Sequence, residues 1–408
     1  MSKWLQVKLG DIADFSNGIN FDKSSYCENG TYLIGVSDFG EELFPDYSTL
    51  RHIDSTIVRE CNLLKDGDIV FVRSNGNKAL VGRSMLIKNP PKNTSFSGFC
   101  IRARIKNHES FDPLFFAYLF KNEKFRKAIA GCSIGANIQN LSQGKLASYM
   151  AYVPSIEIQR KIADILSAYD DLIENNRKQI KLLEEAAQWL YKEWFIDLRF
   201  PGHETTPIID GIPAGWEKRK LGNWINTFSG GTPSRKNKDF YQAGTNYWIK
   251  TQELTDGFIF ETEEKITDNA IKASSAKYIY PNSILMAMYG ATIGKLGIAA
   301  TVLTCNQACC VFDLSSSLEK MPYLYMWLKI NRDFFISQGI GSAQSNLSQA
   351  MIKNFDIIVP TLKVLNVFAQ IATKIFDKIL KLQKSINATK TARDRLLAKL
   401  MTRELELN

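Results

Sequence analysis

The side chains best able to do chemistry in this 408-residue chain sit in short polar runs that follow apolar ones. Arg73-Ser74-Asn75-Gly76-Asn77-Lys78, continuing to Gly82-Arg83, comes after Ile69-Val70-Phe71-Val72. Roughly half the chain later, Tyr289-Gly290-Ala291-Thr292-Ile293-Gly294-Lys295 follows Ile284-Leu285-Met286-Ala287. A second pair of runs has a similar make-up: Gly135-Ala136-Asn137-Ile138-Gln139-Asn140, matched by Gly341-Ser342-Ala343-Gln344-Ser345-Asn346. Asn and Gln amides can bond adenine through two hydrogen bonds, Arg and Lys bond guanine, and glycine lets a backbone approach a duplex. The same cations neutralise phosphates, so both kinds of contact are expected together. Gly, Asn and Ser also populate ordinary turns, so each residue taken singly reads first as a turn former or a phosphate contact. The candidate DNA-binding residues are Arg73, Asn75, Asn77, Lys78, Arg83, Asn137 and Gln139, then Tyr289, Thr292, Lys295, Gln344 and Asn346.

Signatures of catalysis fail on inspection. Asn89-Pro90-Pro91-Lys92 is close to the Asn-Pro-Pro-aromatic motif that cradles a flipped base in amino-methyltransferases. Lys92 replaces the aromatic, however, and no glycine-rich loop for adenosylmethionine follows a strand. Gly290-Ala291-Thr292-Ile293-Gly294-Lys295 is one residue short of a P-loop, with Leu296 where Ser or Thr must hold magnesium. His52, His108 and His203 are dispersed, and Cys305 and Cys309 lack a second pair, so neither a Ser-His-Asp set nor a zinc site is suggested. The chain reads as a binder.

A repeat positions these runs. Trp4-Leu5-Gln6-Val7-Lys8-Leu9-Gly10 recurs as Trp216-Glu217-Lys218-Arg219-Lys220-Leu221-Gly222. Phe15-Ser16-Asn17-Gly18 recurs, after a one-residue shift, as Phe228-Ser229-Gly230-Gly231, and Tyr32-Leu33-Ile34 as Tyr247-Trp248-Ile249. Asn140-Leu141-Ser142-Gln143 returns letter for letter as Asn346-Leu347-Ser348-Gln349, and Val153-Pro154 as Val359-Pro360. The order is preserved and the period is too long for a solenoid, so the chain is a duplicated domain. Each half reads as mixed α/β. Strands are expected over 68–73, 79–87, 99–105, 283–288 and 297–302. One helix should run from Asp112, with Pro113 at its first position, to about Ala130, and a counterpart from near Pro322.

Each repeat ends in a long amphipathic helix. Ile158, Ile162, Ile165, Tyr169, Leu172, Leu183, Ala186 and Leu190 recur at helical steps, and no Pro or Gly intervenes before Pro201. Val364, Phe368, Ile371, Ile375, Ile379, Leu382, Ile386, Leu396 and Leu400 do the same. Residues 155–206 carry a net charge of −3 and residues 361–408 a net charge of +6, so these apolar seams should pair with each other. The whole chain carries +9, with a pI near 9.0, which suits a polyanionic partner. No eighteen-residue apolar run or signal peptide is present, so the expectation is a cytoplasmic protein with no membrane partner.

The segment Ile165-Leu166-Ser167-Ala168-Tyr169-Asp170-Asp171-Leu172-Ile173-Glu174-Asn175-Asn176-Arg177, running on through Leu182-Leu183-Glu184-Glu185 to Trp194-Phe195, resembles the central conserved helix of type I restriction–modification specificity subunits. Arg199-Phe200-Pro201-Gly202-His203 and Ile212-Pro213-Ala214-Gly215-Trp216 also look like family signatures. The start of the distal helix, Thr361-Leu362-Lys363-Val364-Leu365, departs from the Ile-Glu-Ile-Gln-Arg type of start seen at Ile156. The resemblance implies an α+β fold with a pseudo-twofold internal repeat: two target recognition domains separated by two long antiparallel coiled-coil helices. The expected boundaries are domain 1 over 1–154, a central spacer helix over 155–200, a linker over 201–215, domain 2 over 216–360 and a distal spacer helix over 361–408.

The resemblance also implies a partner list. The subunit would bind double-stranded DNA, reading a bipartite asymmetric site with one domain per half-site. It would dock two modification subunits, which bind S-adenosylmethionine and methylate adenine N6, and restriction subunits, which use ATP and Mg. No cofactor and no catalysis are expected in this chain itself. Partner contacts are expected at the aromatic helix end, Trp189, Tyr191, Trp194 and Phe195, unless that end packs on the second domain. Two other readings stay open: a stand-alone methyltransferase or nuclease, and a coiled-coil scaffold without DNA specificity.

Overall fold

The computed structural model describes residues 4–130, 140–339, 346–405 and 407. Contacts divide the chain into two units, Met1–Glu174 with Ala388–Asn408, and Asn175–Asn387. Each unit therefore holds one globular half together with a stretch of each long helix.

In the first unit a four-stranded antiparallel sheet runs in the order Ala13–Asn17, Cys100–Ile105, Ile69–Val72, Ser84–Leu86. A smaller sheet runs in the order Tyr26–Cys27, Arg51–Ile53, Thr31–Ile34, Thr94–Phe96, its last pair parallel. The central strand Ile69–Val72 is buried on both faces, as its unbroken apolar letters require. Leu5–Lys8 pairs with Met150–Val153 and closes the domain at the root of the long helix. The expected helix from Asp112 is present, with the Asp112 carboxylate accepting the Phe115 N–H at 2.9 Å, but it is broken. Asn122 is extended, and its side-chain oxygen accepts from Lys124 N–H at 2.9 Å, starting a second helix, Glu123–Ala130. The strand expected over 79–87 shrinks to Ser84–Leu86, because Asn77 caps a 3-10 turn at Lys78–Leu80 and Gly82 takes φ +80°.

The second unit repeats this plan. A five-stranded sheet runs in the order Asn226–Ser229, Cys309–Asp313, Ile284–Ala287, Leu296–Ala299, Gly257–Ile259. A three-stranded one runs Lys265–Ile266, Asn246–Ile249, Thr304–Cys305. Glu217–Lys220 pairs with Asp356–Val359 as Leu5–Lys8 does with Met150–Val153. The linker folds as a hairpin, Ile208–Ile209 with Ile212–Pro213, turned by Asp210 and Gly211 at φ +50° and +78°.

One sequence equivalence is corrected by register. Gly18 corresponds to Gly230, where lettering alone favours Gly231. A Cβ on Gly18 would lie 2.3 Å from the carbonyl oxygens of Phe96 and Ser97. A Cβ on Gly230 would meet those of Cys305 and Asn306 at 2.1 and 2.5 Å. Phe96 and Cys305 are equivalent because each pairs in parallel with the matching isoleucine, Ile34 or Ile249. Only glycine fits where two strands approach this closely.

The long helices span Ile156–Tyr191 and Leu362–Thr402. The first ends in a π-helical turn, Lys192–Ile196, and Leu198 at φ +58° stops it short of the 200 expected. Its seam also differs from the apolar pattern. Ile165 and Leu172 are 37% and 45% exposed, whereas Gln159, Ile162, Leu166, Ile173 and Asn176 are buried. On the second helix Ile371 is exposed and Ala372 and Phe376 are buried. A pattern of apolar letters skips Gln159 and Asn176, and so it shifts the stripe. Both are satisfied: Gln159 bonds Ser110 O, Pro154 O and Asp112 N–H, and Asn176 donates to Ser385 Oγ at 3.2 Å. In the first unit Asp170 accepts from Tyr118 Oη at 2.6 Å and from Arg393, joining both helix stretches to the helix Pro113–Lys121. In the second unit Asn176 meets Ser385 while Tyr191 packs on Phe368, so the two stretches run antiparallel.

Candidate nucleic-acid interface

The loop that follows Ile69–Val72 is built by its own asparagines. Asn75 Oδ1 accepts the Asn77 N–H at 2.7 Å, and Asn77 Oδ1 accepts the Ala79 N–H at 3.0 Å. Both oxygens therefore serve the turn, which leaves the amide NH2 of each as the group a base or phosphate can use. Asn77 and Lys78 are exposed, while Arg73 is half-buried and donates to Gly98 O at 3.3 Å. Arg83 lies apart from them: it is half-buried and donates to Gly40 O.

The repeated Asn-Leu-Ser-Gln motif draws two loops together in each unit. Leu141 is buried and its N–H donates to Arg73 O at 2.9 Å, while Ser74 bridges to Asn140. Ser142 caps the helix Gln143–Ser148. With its amide oriented to donate to Phe15 O (3.1 Å), Gln143 pins that helix to the neighbouring strand. In the second unit Leu347 N–H donates to Met288 O at 2.9 Å, Ser348 caps Gln349–Asn354, and Gln349 donates to Thr227 O at 2.7 Å. The Leu-Ser-Gln letters are thus the clamp, and the exposed residues beside it, among those described, form a rim. Asn140 and Asn346 are exposed on that rim; Asn137, Gln139 and Gln344 lie outside the described residues.

The third side of the rim was missed by sequence reasoning. Arg73 N–H donates to Phe99 O at 2.8 Å, so the 97–99 turn lies beside the loop, and Phe99 is 62% exposed. Phe99 reads in the sequence as the first residue of a strand. Its only signal was a large apolar letter after Ser97-Gly98, a turn pair. An exposed aromatic on a polar rim is suited to wedge against a base step. Met288 N–H donates in the same way to Ala308 O at 2.9 Å, so Ala308 stands where Phe99 does and Met288 where Arg73 does.

Two expectations in the second unit change. Tyr289 is 39% exposed and Thr292 half-buried on the 3-10 turn Gly290–Thr292, with Gly290 at φ +75°. Lys295, however, lies 3.1 Å from the Asp256 carboxylate, which Arg332 also grips with both terminal nitrogens. Burial pushes the Asp256 pKa up, but the Leu296 N–H, Arg332 and Lys295 outweigh it and hold the carboxyl below its usual range. Lys295 is exposed but already ion-paired, so a phosphate would compete with Asp256 for it. Among the helix-end aromatics, Tyr191 and Trp194 are buried, and Phe195 packs on Tyr323 at 4.7 Å and Phe368 at 4.8 Å. All three join the core of the second unit, Trp194 and Phe195 from the π-helical turn, so they are packing residues. Trp189 is 73% exposed and shares a helix face with exposed Leu182, seven residues earlier.

Cys305, Cys309 and Cys310 are buried, and burial drives the Cys305 thiol well up, which leaves it inert. Among the described residues no group of His, Cys, Asp and Glu could hold a metal, and no helix is long and apolar enough to cross a membrane.

The model of the type I restriction modification DNA specificity domain matches residues 1–185 and again 213–393. The chain is 29% identical over 365 residues to the MjaIX specificity subunit of Methanocaldococcus jannaschii, covering 88% of this chain and 82% of that one. It is 24% identical to the HindI specificity subunit of Haemophilus influenzae, covering 99% and 100%. The crystal structure of a type I restriction-modification S subunit from M. genitalium superposes with a TM-score of 0.58 at 15% identity, over 100% of this chain and 97% of that one, which shows a shared fold.

Proposed function

We propose, since the chain belongs to the family of type I restriction–modification DNA specificity subunits, that each of its units reads one half of an asymmetric, bipartite DNA site. The observation that carries this is the twice-built rim. One set of main-chain bonds, Leu141 to Arg73 and Leu347 to Met288, presents different side chains in the two units. A pair of unlike half-sites calls for that arrangement. Phosphate contacts from the exposed Lys78 supply affinity without sequence information, while Asn75, Asn77, Phe99 and Tyr289 stand where base edges can be read.

In this reading the chain carries no catalysis of its own. S-adenosylmethionine belongs to the modification subunits and ATP with Mg to the restriction subunits. Two modification subunits dock on the helices, and the exposed apolar face carrying Leu182 and Trp189 is where we place one such contact. The test is a chimera in which residues 1–154 come from another family member. The methylation pattern of its host should change in one half-site and keep the other. A methylated motif unchanged in both halves would refute modular reading. Arg73→Ala should weaken DNA binding of the assembled complex, and the log of affinity should fall steeply with the log of salt.

A further inference from the structure

The first unit encloses a second basic site, apart from the loop rim. A cavity of about 400 Å³ is lined by Arg83, Lys121, Arg126 and Arg393. The carboxylates in its wall are already paired: Glu41 with Lys390 at 3.6 Å, Glu123 with Lys127 at 2.7 Å, and Asp394 with Arg393 at 2.8 Å. Asp170 holds Arg393 as well. The other three cations bond main-chain oxygens. Arg83 donates to Gly40 O at 3.3 Å, Arg126 to Ala79 O at 2.7 Å, and Lys121 to Glu41 O and Glu42 O at 2.5 and 2.8 Å. The Nε–H groups of Arg83 and Arg126 are buried and have no hydrogen-bond partner among the described residues. Asp170, Glu42 and Asp394 act on Lys121, but a carbonyl offers Arg83 and Arg126 a dipole and no countercharge, so the repulsion between these two stands. Burial, and then the charge of Arg83, hold the Arg126 guanidinium below its usual range.

The second unit shows the same place with its anion supplied from within the chain. Val72 N–H donates to Arg83 O at 2.8 Å as Ala287 N–H donates to Lys295 O at 2.9 Å, so Arg83 and Lys295 are equivalent. Lys295 and Arg332 share Asp256, and the cavity beside that carboxylate measures only about 10 Å³. We propose that the cavity of the first unit binds a phosphate oxyanion, which does for Arg83, Lys121 and Arg126 what Asp256 does for Lys295 and Arg332. A tetrahedral oxyanion with several acceptor oxygens matches two guanidinium forks and an ammonium. The volume lies in the range of small-molecule sites, so a phosphate monoester fits as well as inorganic phosphate. The source is either a free phosphate compound or a phosphate of the DNA backbone, and the first of these does not depend on the function proposed above.

The test uses the full chain, wild type and the variants Arg126→Gln and Lys121→Met, each checked for folding by circular dichroism in chloride buffer. Inorganic phosphate replaces chloride at constant ionic strength. At about a hundredfold excess over its Kd it should raise the wild-type melting temperature by roughly 5 °C and leave both variants unmoved. If phosphate gives no shift but Arg126→Gln lowers the slope of log affinity for duplex DNA against log salt by about one, the oxyanion is a backbone phosphate. Equal stabilisation of wild type and variants by phosphate overturns the site, as does no response in either arm.

Discussion

The two rims share their main-chain framework and an exposed asparagine, Asn140 or Asn346, but differ in other described side chains set upon it. At the end of the buried strand the first unit places Arg73 and the second Met288; in the adjoining turn the first places an exposed Phe99 and the second Ala308. Arg83 opens onto a basic cavity, while its equivalent Lys295 is exposed and paired with Asp256. At the root of each long helix, the first unit uses a buried Gln159 and the second a buried Leu365. Duplication has kept what builds a rim and released what a rim presents. That is how one fold can read two unlike sequences: framework bonds run through the backbone and the clamp motif, so rim side chains are free to change at little cost in stability.

The comparison makes unequal demands on the two units. Asp170→Ala should cost the first unit about 2–4 kcal/mol, because Tyr118 loses its acceptor and the half-buried Arg393 keeps only the exposed Asp394 among the described residues; urea unfolding measures it, and a loss below 1 kcal/mol would remove this pair from the account. Gln159→Leu copies the second unit into the first and should still destabilise by about 1–3 kcal/mol, since Ser110 O, Pro154 O and Asp112 N–H lose their partner. Phe99→Ala should leave stability within about 0.5 kcal/mol yet weaken DNA binding by about tenfold, a loss of ~1.4 kcal/mol; filter binding by the assembled complex decides. Lys78→Ala should lower the salt slope by about one, and Lys295→Ala by clearly less, because Lys295 is already ion-paired with Asp256. Equal slopes would mean that Asp256 releases its lysine on binding.

Acid and alkali separate the units further. Burial lowers Lys121 from 10.5 to about 8, against the pull of Asp170, Glu42 and Asp394 and together with the push of Arg393. A lysine depressed in the folded state costs stability wherever the unfolded chain is protonated. The first unit should therefore gain stability as pH rises from about 8 towards 10.5, and Lys121→Met should abolish the gain. Asp256 is depressed below 3.8, so its contribution to the second unit is present above that value and lost as pH falls beneath it. Melting temperatures across both ranges would show the two trends.

By itself the sequence determined the duplication, the two long helices and the polar loops that follow Ile69–Val72 and Ile284–Ala287. These rest on local order: a repeated clamp motif, helical spacing of apolar residues, and glycines and asparagines after apolar strands. Only the tertiary structure decided which residues face which way. Gln159 and Asn176 occupy the seam although they are polar, because partners far away in the chain satisfy them. Tyr191 packs inward from the end of the α-helix and Trp194 and Phe195 from the π-helical turn after it, and Phe99 joins the rim through a main-chain bond to Arg73. Lys295 is ion-paired with Asp256, whereas Arg83 has no such carboxylate ion pair among the described residues. Letters carry propensity and period; burial, pairing and charge compensation are properties of neighbours that the chain meets only after folding.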